Sequence, residues 1–222
     1  MLNLPIGATI EKDHLWCQVI NRLQRSYKGA LFLDRDGVIV EDTDYLQHPE
    51  DVRLINGSET IISKANKLTI PIIIVTNQAG IARGKFTWKE FIEVQEKLIQ
   101  ILEKHKGFIN AVFACPHHSD GIPPYNIPNH RCRKPNPGML IEAAQRLPIN
   151  LSKSWLIGDK ASDLQAAYTA GLRGGTHVLT GHGNDKGERE ASMKLNSKNF
   201  TCMTADSIAN TEEILEMLDN DL

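Results

Sequence analysis

Leu31-Phe32-Leu33-Asp34-Arg35-Asp36-Gly37-Val38-Ile39 is an apolar run that ends on two alternate aspartates and a glycine. The run reads as a short buried strand over Ala30 to Leu33. In extended chain alternate side chains share a face, so Asp34 and Asp36 point toward one place. Gly37 allows the sharp turn that must follow. One carboxylate of such a pair can attack phosphorus as a nucleophile while the other handles the proton of the leaving oxygen. The plainer alternative is a strand closing on a charged turn, where aspartates are common.

Three further segments repeat this arrangement, each at the end of an apolar run: Val75-Thr76-Asn77, Arg133-Lys134-Pro135 and Gly158-Asp159-Lys160. Ile70 to Val75 is continuous and β-branched, as expected of a strand covered on both faces. Ile109 to Ala114, Ser154 to Ile157 and Thr176 to Leu179 read as three more strands. Between them lie helical patterns over Glu59 to Leu68, Thr87 to Lys104, Pro137 to Leu147 and Ser162 to Ala170. Thr87 followed by Glu90 forms a capping-box start, Pro137 suits a first helical turn, and Gly171 stops the last of these helices. The alternation predicts an α/β fold, a three-layer αβα arrangement around a central parallel sheet. In such sheets ligands bind beyond the carboxyl ends of the strands, where all four segments fall.

Three regions are expected. Residues 1–28 form an N-terminal extension in which Ala8 to Arg25 reads as one amphipathic helix. Residues 29–181 form the sheet domain, with a loop at 115–132. Residues 182–222 form a C-terminal extension, with a loop over Gly183 to Glu190, a short strand at Phe200 to Thr204 and a helix over Ser207 to Leu218. No large insertion follows Gly37, and one helix, one strand and a loop fill Asn77 to Lys134, so no separate cap domain is expected.

A chain of 222 residues with 41% hydrophobic and 23% charged residues can bury one good core. The formal net charge of −2 argues against binding nucleic acid by bulk electrostatics. No apolar run is long enough to cross a bilayer, and no signal peptide is evident at the N-terminus. The expectation is a cytoplasmic protein with a small-molecule substrate, no nucleic-acid partner and no membrane partner, present as a monomer or small homo-oligomer.

Two of the four cysteines lie among histidines. Cys115-Pro116-His117 and His130-Arg131-Cys132 spell C-x-H-x12-H-x-C. Two imidazoles and two thiolates suit tetrahedral zinc with no open position, hence a structural site. The alternative is a polar loop with incidental histidines, and His118 is a spare ligand if His117 or His130 does not bind.

Leu33-Asp34-Arg35-Asp36-Gly37 resembles the first motif of the haloacid dehalogenase (HAD) superfamily of phosphatases, and the other motifs follow in that superfamily's order over roughly residues 30 to 181. Within it the chain resembles the D-glycero-D-manno-heptose 1,7-bisphosphate 7-phosphatase and histidinol-phosphatase families. Thr76-Asn77-Gln78-Ala79-Gly80-Ile81-Ala82-Arg83-Gly84-Lys85-Phe86, Cys115-Pro116-His117-His118, Arg133-Lys134-Pro135 and Gly158-Asp159-Lys160 favour the heptose family. The resemblance implies magnesium held by the Asp34 side chain, the Asp36 backbone carbonyl and Asp159. It implies Asp34 as nucleophile and Asp36 as acid and base. Thr76, Asn77 and Lys134 would hold the transferring phosphoryl group. Arg133 would meet the distal phosphate or sugar, and Lys160 would support the nucleophile and phosphate. Asp163 would support the site from behind, or serve only as an acidic residue at a helix start. The resembled families usually have Cys-x-Cys as the second zinc pair, where this chain has His130. They often have threonine in place of Val38.

The expected activity is removal of the 7-phosphate of a heptose 1,7-bisphosphate through an aspartyl phosphate. Histidinol phosphate or another small phosphate is the alternative substrate. A non-catalytic zinc-stabilised binding module and a nucleic-acid 3′-phosphatase are the remaining readings, the latter disfavoured by the near-neutral charge.

Overall fold

A computed structural model describes residues 2–21, 23 and 29–220. Eight strands form one sheet: β1 (Ala8–Ile10), β2 (Trp16–Val19), β3 (Leu31–Leu33), β4 (Ile72–Asn77), β5 (Ala111–Cys115), β6 (Trp155–Gly158), β7 (Gly174–Val178) and β8 (Thr201–Ala205). Their order is β1-β2-β5-β4-β3-β6-β7-β8. From β5 to β8 every neighbouring pair is parallel, while β1–β2 and β2–β5 are antiparallel. The chain winds outward from β3 in one direction through β4 and β5, then in the other through β6, β7 and β8. The reversal lies between β3 and β6, the switch point at which open α/β sheets place their ligands.

Alternation along the central strands divides the apolar residues between two cores. Leu31, Leu33, Ile72, Ile74 and Ile157 face one layer, with α1 (Ser58–Lys67), α3 (Trp88–Lys104) and α7 (Glu212–Asp219). Phe32, Ile73, Val75 and Leu156 face the other, with α4 (Gly138–Arg146) and α5 (Ala161–Thr169). The remaining helices are short: α2 (Ala79–Ala82) follows β4, and α6 (Glu188–Met193) lies between β7 and β8. The capping box of α3 is formed, with Thr87 N–H donating to Glu90 and Thr87 Oγ1 accepting from Lys89 N–H. No separate cap domain interrupts the sheet domain among the described residues.

Both extensions differ from the sequence expectation. Residues 8–19 form a β-hairpin rather than a helix, and residues 22 and 24–25 of the expected helix lie outside the described residues. The free edge of β5 presents unpaired backbone groups. β2 pairs with it in the register Trp16↔Ala114 to Val19↔Ala111. Period-two alternation then serves both cores at once, with Trp16 on one face and Leu15 and Cys17 on the other. Trp16 stacks on Trp88 at 5.5 Å and meets Phe91 edge-on at 5.4 Å. A helix would have buried only one stripe and left β5 exposed. At the other end, residues 182–220 are no appendage. β8 adds to the sheet beside β7, and α7 closes the core over α1. Residues 188–190, expected in a loop, open α6, and residues 208–210 form a separate 3-10 turn before α7.

Candidate active site

The carboxyl ends of β3, β4 and β6 open on a cleft of about 560 Å³. Asp34, Asp36, Thr76, Asn77, Arg133, Lys134 and Lys160 all line it. Asp34 leaves β3 with its backbone N–H bonded to Ile157 O at 3.0 Å, which ties it to β6. Beyond Asp36 the chain turns at Gly37, whose φ of +84° is the left-handed region that glycine tolerates. Gly37 and Gly181 both press on the Asp159 carboxylate, and a Cβ at either position would collide with it.

Lys134 is the electrostatic pivot. Its Nζ lies 2.9 Å from Asp34 Oδ1, 2.6 Å from Asp163 Oδ1 and 2.9 Å from Val75 O. Burial opposes its charge, but Asp163 and Asp34 outweigh that and hold its pKa above the usual lysine range. Asn77 fixes the lysine's backbone in both directions: its Nδ2 donates to Lys134 O and its Oδ1 accepts from Lys134 N–H, each at 3.1 Å.

Asp34, Asp159 and Asp163 bring carboxylate oxygens within 4.8 Å of one another, all buried. Burial, only partly offset by Lys134, pushes Asp34 up to about 6. Burial first, then the charges of Asp163 and Asp34, pushes Asp159 up to about 8. Asp159 Oδ2 accepts from His182 N–H at 2.8 Å, whereas Oδ1 is buried without a partner. The three crowded carboxylates, one of them with an orphaned oxygen, form an all-oxygen donor set suited to a hard divalent cation such as magnesium.

Asp36 sits apart from this group. Arg35 donates to both its oxygens, at 3.1 and 3.0 Å, and Gln78 Nε2 donates to Asp36 Oδ2 and to Thr76 Oγ1, each at 2.8 Å. Arg35, Gln78 and His182 were not singled out from the sequence. Gln78 adjoins Thr76-Asn77 and so lay within reach of a motif argument. His182 approaches only through the return of the chain after β7. Tyr45 lines the cleft and accepts a hydrogen bond from Arg83 at 2.9 Å. Lys160 lines the cleft with its Nζ 4.0 Å from Asp42 Oδ2.

The zinc candidates are less gathered. Cys115, His117 and Cys132 are fully buried and His130 nearly so. Among the described residues no three of the four bring ligand atoms within 4.8 Å of one another. His117 turns Nδ1 toward Tyr125 O at 3.2 Å and Nε2 toward Asp13 O at 2.8 Å.

Comparison with known proteins supplies the family. Residues 131–203 match a HAD-hydrolase-like family model. A D-glycero-β-D-manno-heptose-1,7-bisphosphate 7-phosphatase of Mesorhizobium japonicum is 47% identical over 162 residues, which is 72% of this chain and 75% of that protein. The Escherichia coli K12 enzyme of the same name is 37% identical over 76% of this chain and 88% of its own length. Among solved structures, a HAD-like phosphatase from Mesorhizobium loti superposes with a TM-score of 0.82 at 36% identity, covering 93% of each chain. The D,D-heptose 1,7-bisphosphate phosphatase of B. bronchiseptica, solved with magnesium and phosphate, gives a TM-score of 0.71 at 29% identity over 85% of this chain and 98% of that one. The chain belongs to the HAD-like phosphatases, in the family of the heptose-1,7-bisphosphate 7-phosphatases.

Proposed function

We propose that this chain is a magnesium-dependent phosphomonoesterase that removes the 7-phosphate of D-glycero-D-manno-heptose 1,7-bisphosphate. The observation that carries the reading is the floor of the cleft, where Lys134 bridges Asp34 and Asp163 beside the under-bonded Asp159. Asp34, the Asp36 carbonyl and Asp159 would hold magnesium, which supplies charge neutralisation for an anionic nucleophile meeting an anionic phosphate.

Asp34 Oδ attacks phosphorus and forms an aspartyl phosphate, while the P–O bond to the sugar breaks. Asp36 delivers a proton to the departing C7 oxygen. Asp36 then takes a proton from water as that water attacks phosphorus, releasing inorganic phosphate and regenerating Asp34. Lys134, Thr76 and Asn77 bind the equatorial oxygens, where fixed donors stabilise charge best. Arg133 at the rim meets the distal phosphate, with the planar fork suited to such an anion. Lys160, also in the cleft lining, adds positive charge.

We infer as well that the loop from Cys115 to Cys132 holds zinc, with Cys115, His117, His130 and Cys132 as its sequence candidates. Burial pushes His130 down to about 4, so its imidazole is neutral and able to ligate at physiological pH. The four free, buried cysteines suit a reducing cytoplasm. Among the described residues no helix is long and apolar enough to cross a membrane.

The test is phosphate release with magnesium from both anomers of heptose 1,7-bisphosphate, histidinol phosphate and a panel of sugar phosphates. Preference for a heptose bisphosphate is expected. Asp34→Asn should lower kcat by more than about 10³-fold with the fold intact. Near wild-type turnover in that variant would remove the nucleophile assignment, and preference for another phosphate would remove the substrate.

A further inference from the structure

The turn of the N-terminal hairpin rests on the zinc loop. His14 adopts φ +62°, and the backbone bonds Glu11 N to Leu15 O and His14 N to Glu11 O close the turn. Asp13 is thereby set against His130 and Cys132. Its Oδ2 lies 3.7 Å from His130 Nε2 and 4.0 Å from Cys132 Sγ. These are donors of three kinds, and their ligand atoms fall within 4.8 Å of one another. Among the described residues no other such group contains a histidine or a cysteine. The second Asp13 oxygen, Oδ1, is buried and has no partner. His117 stacks on His130 with ring centroids 3.8 Å apart.

We propose that Asp13 is a metal ligand, forming with His130 and Cys132 a carboxylate, imidazole and thiolate set for the zinc of this loop. The inference rests on the zinc reading given above. Zinc accepts all three donor types, and a tetrahedral ion leaves one further position, which falls to Cys115 or His117. Against a dication, the Cys132 thiolate supplies one negative charge and the Asp13 carboxylate a second, with the His130 imidazole as the uncharged donor. Arg131 Nε already holds Asp13 Oδ2 at 2.7 Å. A carboxylate has lone pairs enough for both roles, and the orphaned Oδ1 remains available.

Protons must be released or moved on binding. Cys132 loses its thiol proton to solvent. Cys132 N–H points at His130 Nδ1 at 3.2 Å, which leaves the proton of the neutral ring on Nε2. Coordination through Nε2 shifts that proton to Nδ1 and turns the Cys132 amide away. The consequence for the molecule is a cross-link. The metal would tie the hairpin to the loop that leads directly into Arg133 and Lys134.

The rival role for Asp13 is a plain ion pair with Arg131. Full-length wild type, Asp13→Asn and Arg131→Ala are compared for zinc content, for zinc affinity by competition with a chromogenic chelator, and for the visible spectrum of the cobalt-substituted protein. Asp13→Asn keeps the side-chain shape and an acceptor for Arg131, so the hairpin stays folded. Expected are about one zinc per wild-type chain, an Asp13→Asn affinity lowered by more than about 100-fold, beyond the 10–100-fold cost of losing an outer partner, and an altered cobalt spectrum. Arg131→Ala should stay within about tenfold of wild type. Wild-type affinity and an unchanged cobalt spectrum in Asp13→Asn would overturn the inference and leave the zinc reading standing. A wild-type chain that binds no zinc would overturn both.

Discussion

Lys134 is held by two carboxylates and a carbonyl while almost wholly screened from water. A buried charge so placed is costly to strand, and removing one partner of such a set typically costs about 3–5 kcal/mol. Lys134→Met therefore tests two roles. Catalysis should fall by about 10²–10³-fold, the usual loss for one charge-stabilising donor. The metal-free protein should also unfold earlier in urea, because Asp34 and Asp163 lose their shared cation. Retained stability would show that the three carboxylates protonate to compensate. Asp34, Asp36, Asp159, Thr76 and Asn77 were legible in the sequence because each closes a buried strand, whereas Arg133 and Lys134 follow a polar loop and were placed by the family resemblance. What each one touches was not. The Asp163–Lys134 contact turns an ambiguous helix-start residue into a partner of the pivot. Arg35 grips Asp36 although the alternation argument looked only at the aspartates on either side of it.

At the level of elements, periodicity read the central strands and α3 well because their burial matches a single local period. The N-terminal segment, expected as one amphipathic helix over Ala8 to Arg25, misled because the deciding force was the open edge of β5, which no local pattern reveals. The hairpin is accordingly an integral part of the core. Trp16→Ala should lower stability by about 3–5 kcal/mol, as expected for a large buried aromatic, within one cooperative urea transition. Trp16→Phe should cost much less, since the Trp16 Nε1–H is buried without a partner. A small loss for Trp16→Ala, or a separate early transition, would show a hairpin that frays independently.

Across the whole molecule, the crowded carboxylates link stability, pH and metal. Asp34 and Asp159 titrate above their unfolded values, at about 6 and about 8. A group raised in this way contributes stability that is present below its unfolded pKa and lost as pH rises through the folded one. The metal-free protein should therefore weaken between about pH 4 and pH 8, and magnesium, which must displace those protons, should bind more tightly over the same span. The magnesium-induced rise in Tm should be larger at pH 8 than at pH 6. An equal rise at both would separate these carboxylates from the metal site. The α/β alternation, the three acidic or hydroxyl segments at strand ends and the chemistry they can support could be read from the amino-acid order, because strand period, turn residues and motif order are local properties. It took the tertiary contacts to show that both extensions join the sheet, that Lys134 serves Asp163 as well as Asp34, and that Asp13 reaches the 115–132 loop. Those contacts join residues far apart in the chain, 118 positions in the case of Asp13 and Arg131, and depend on which sheet edge was left unpaired.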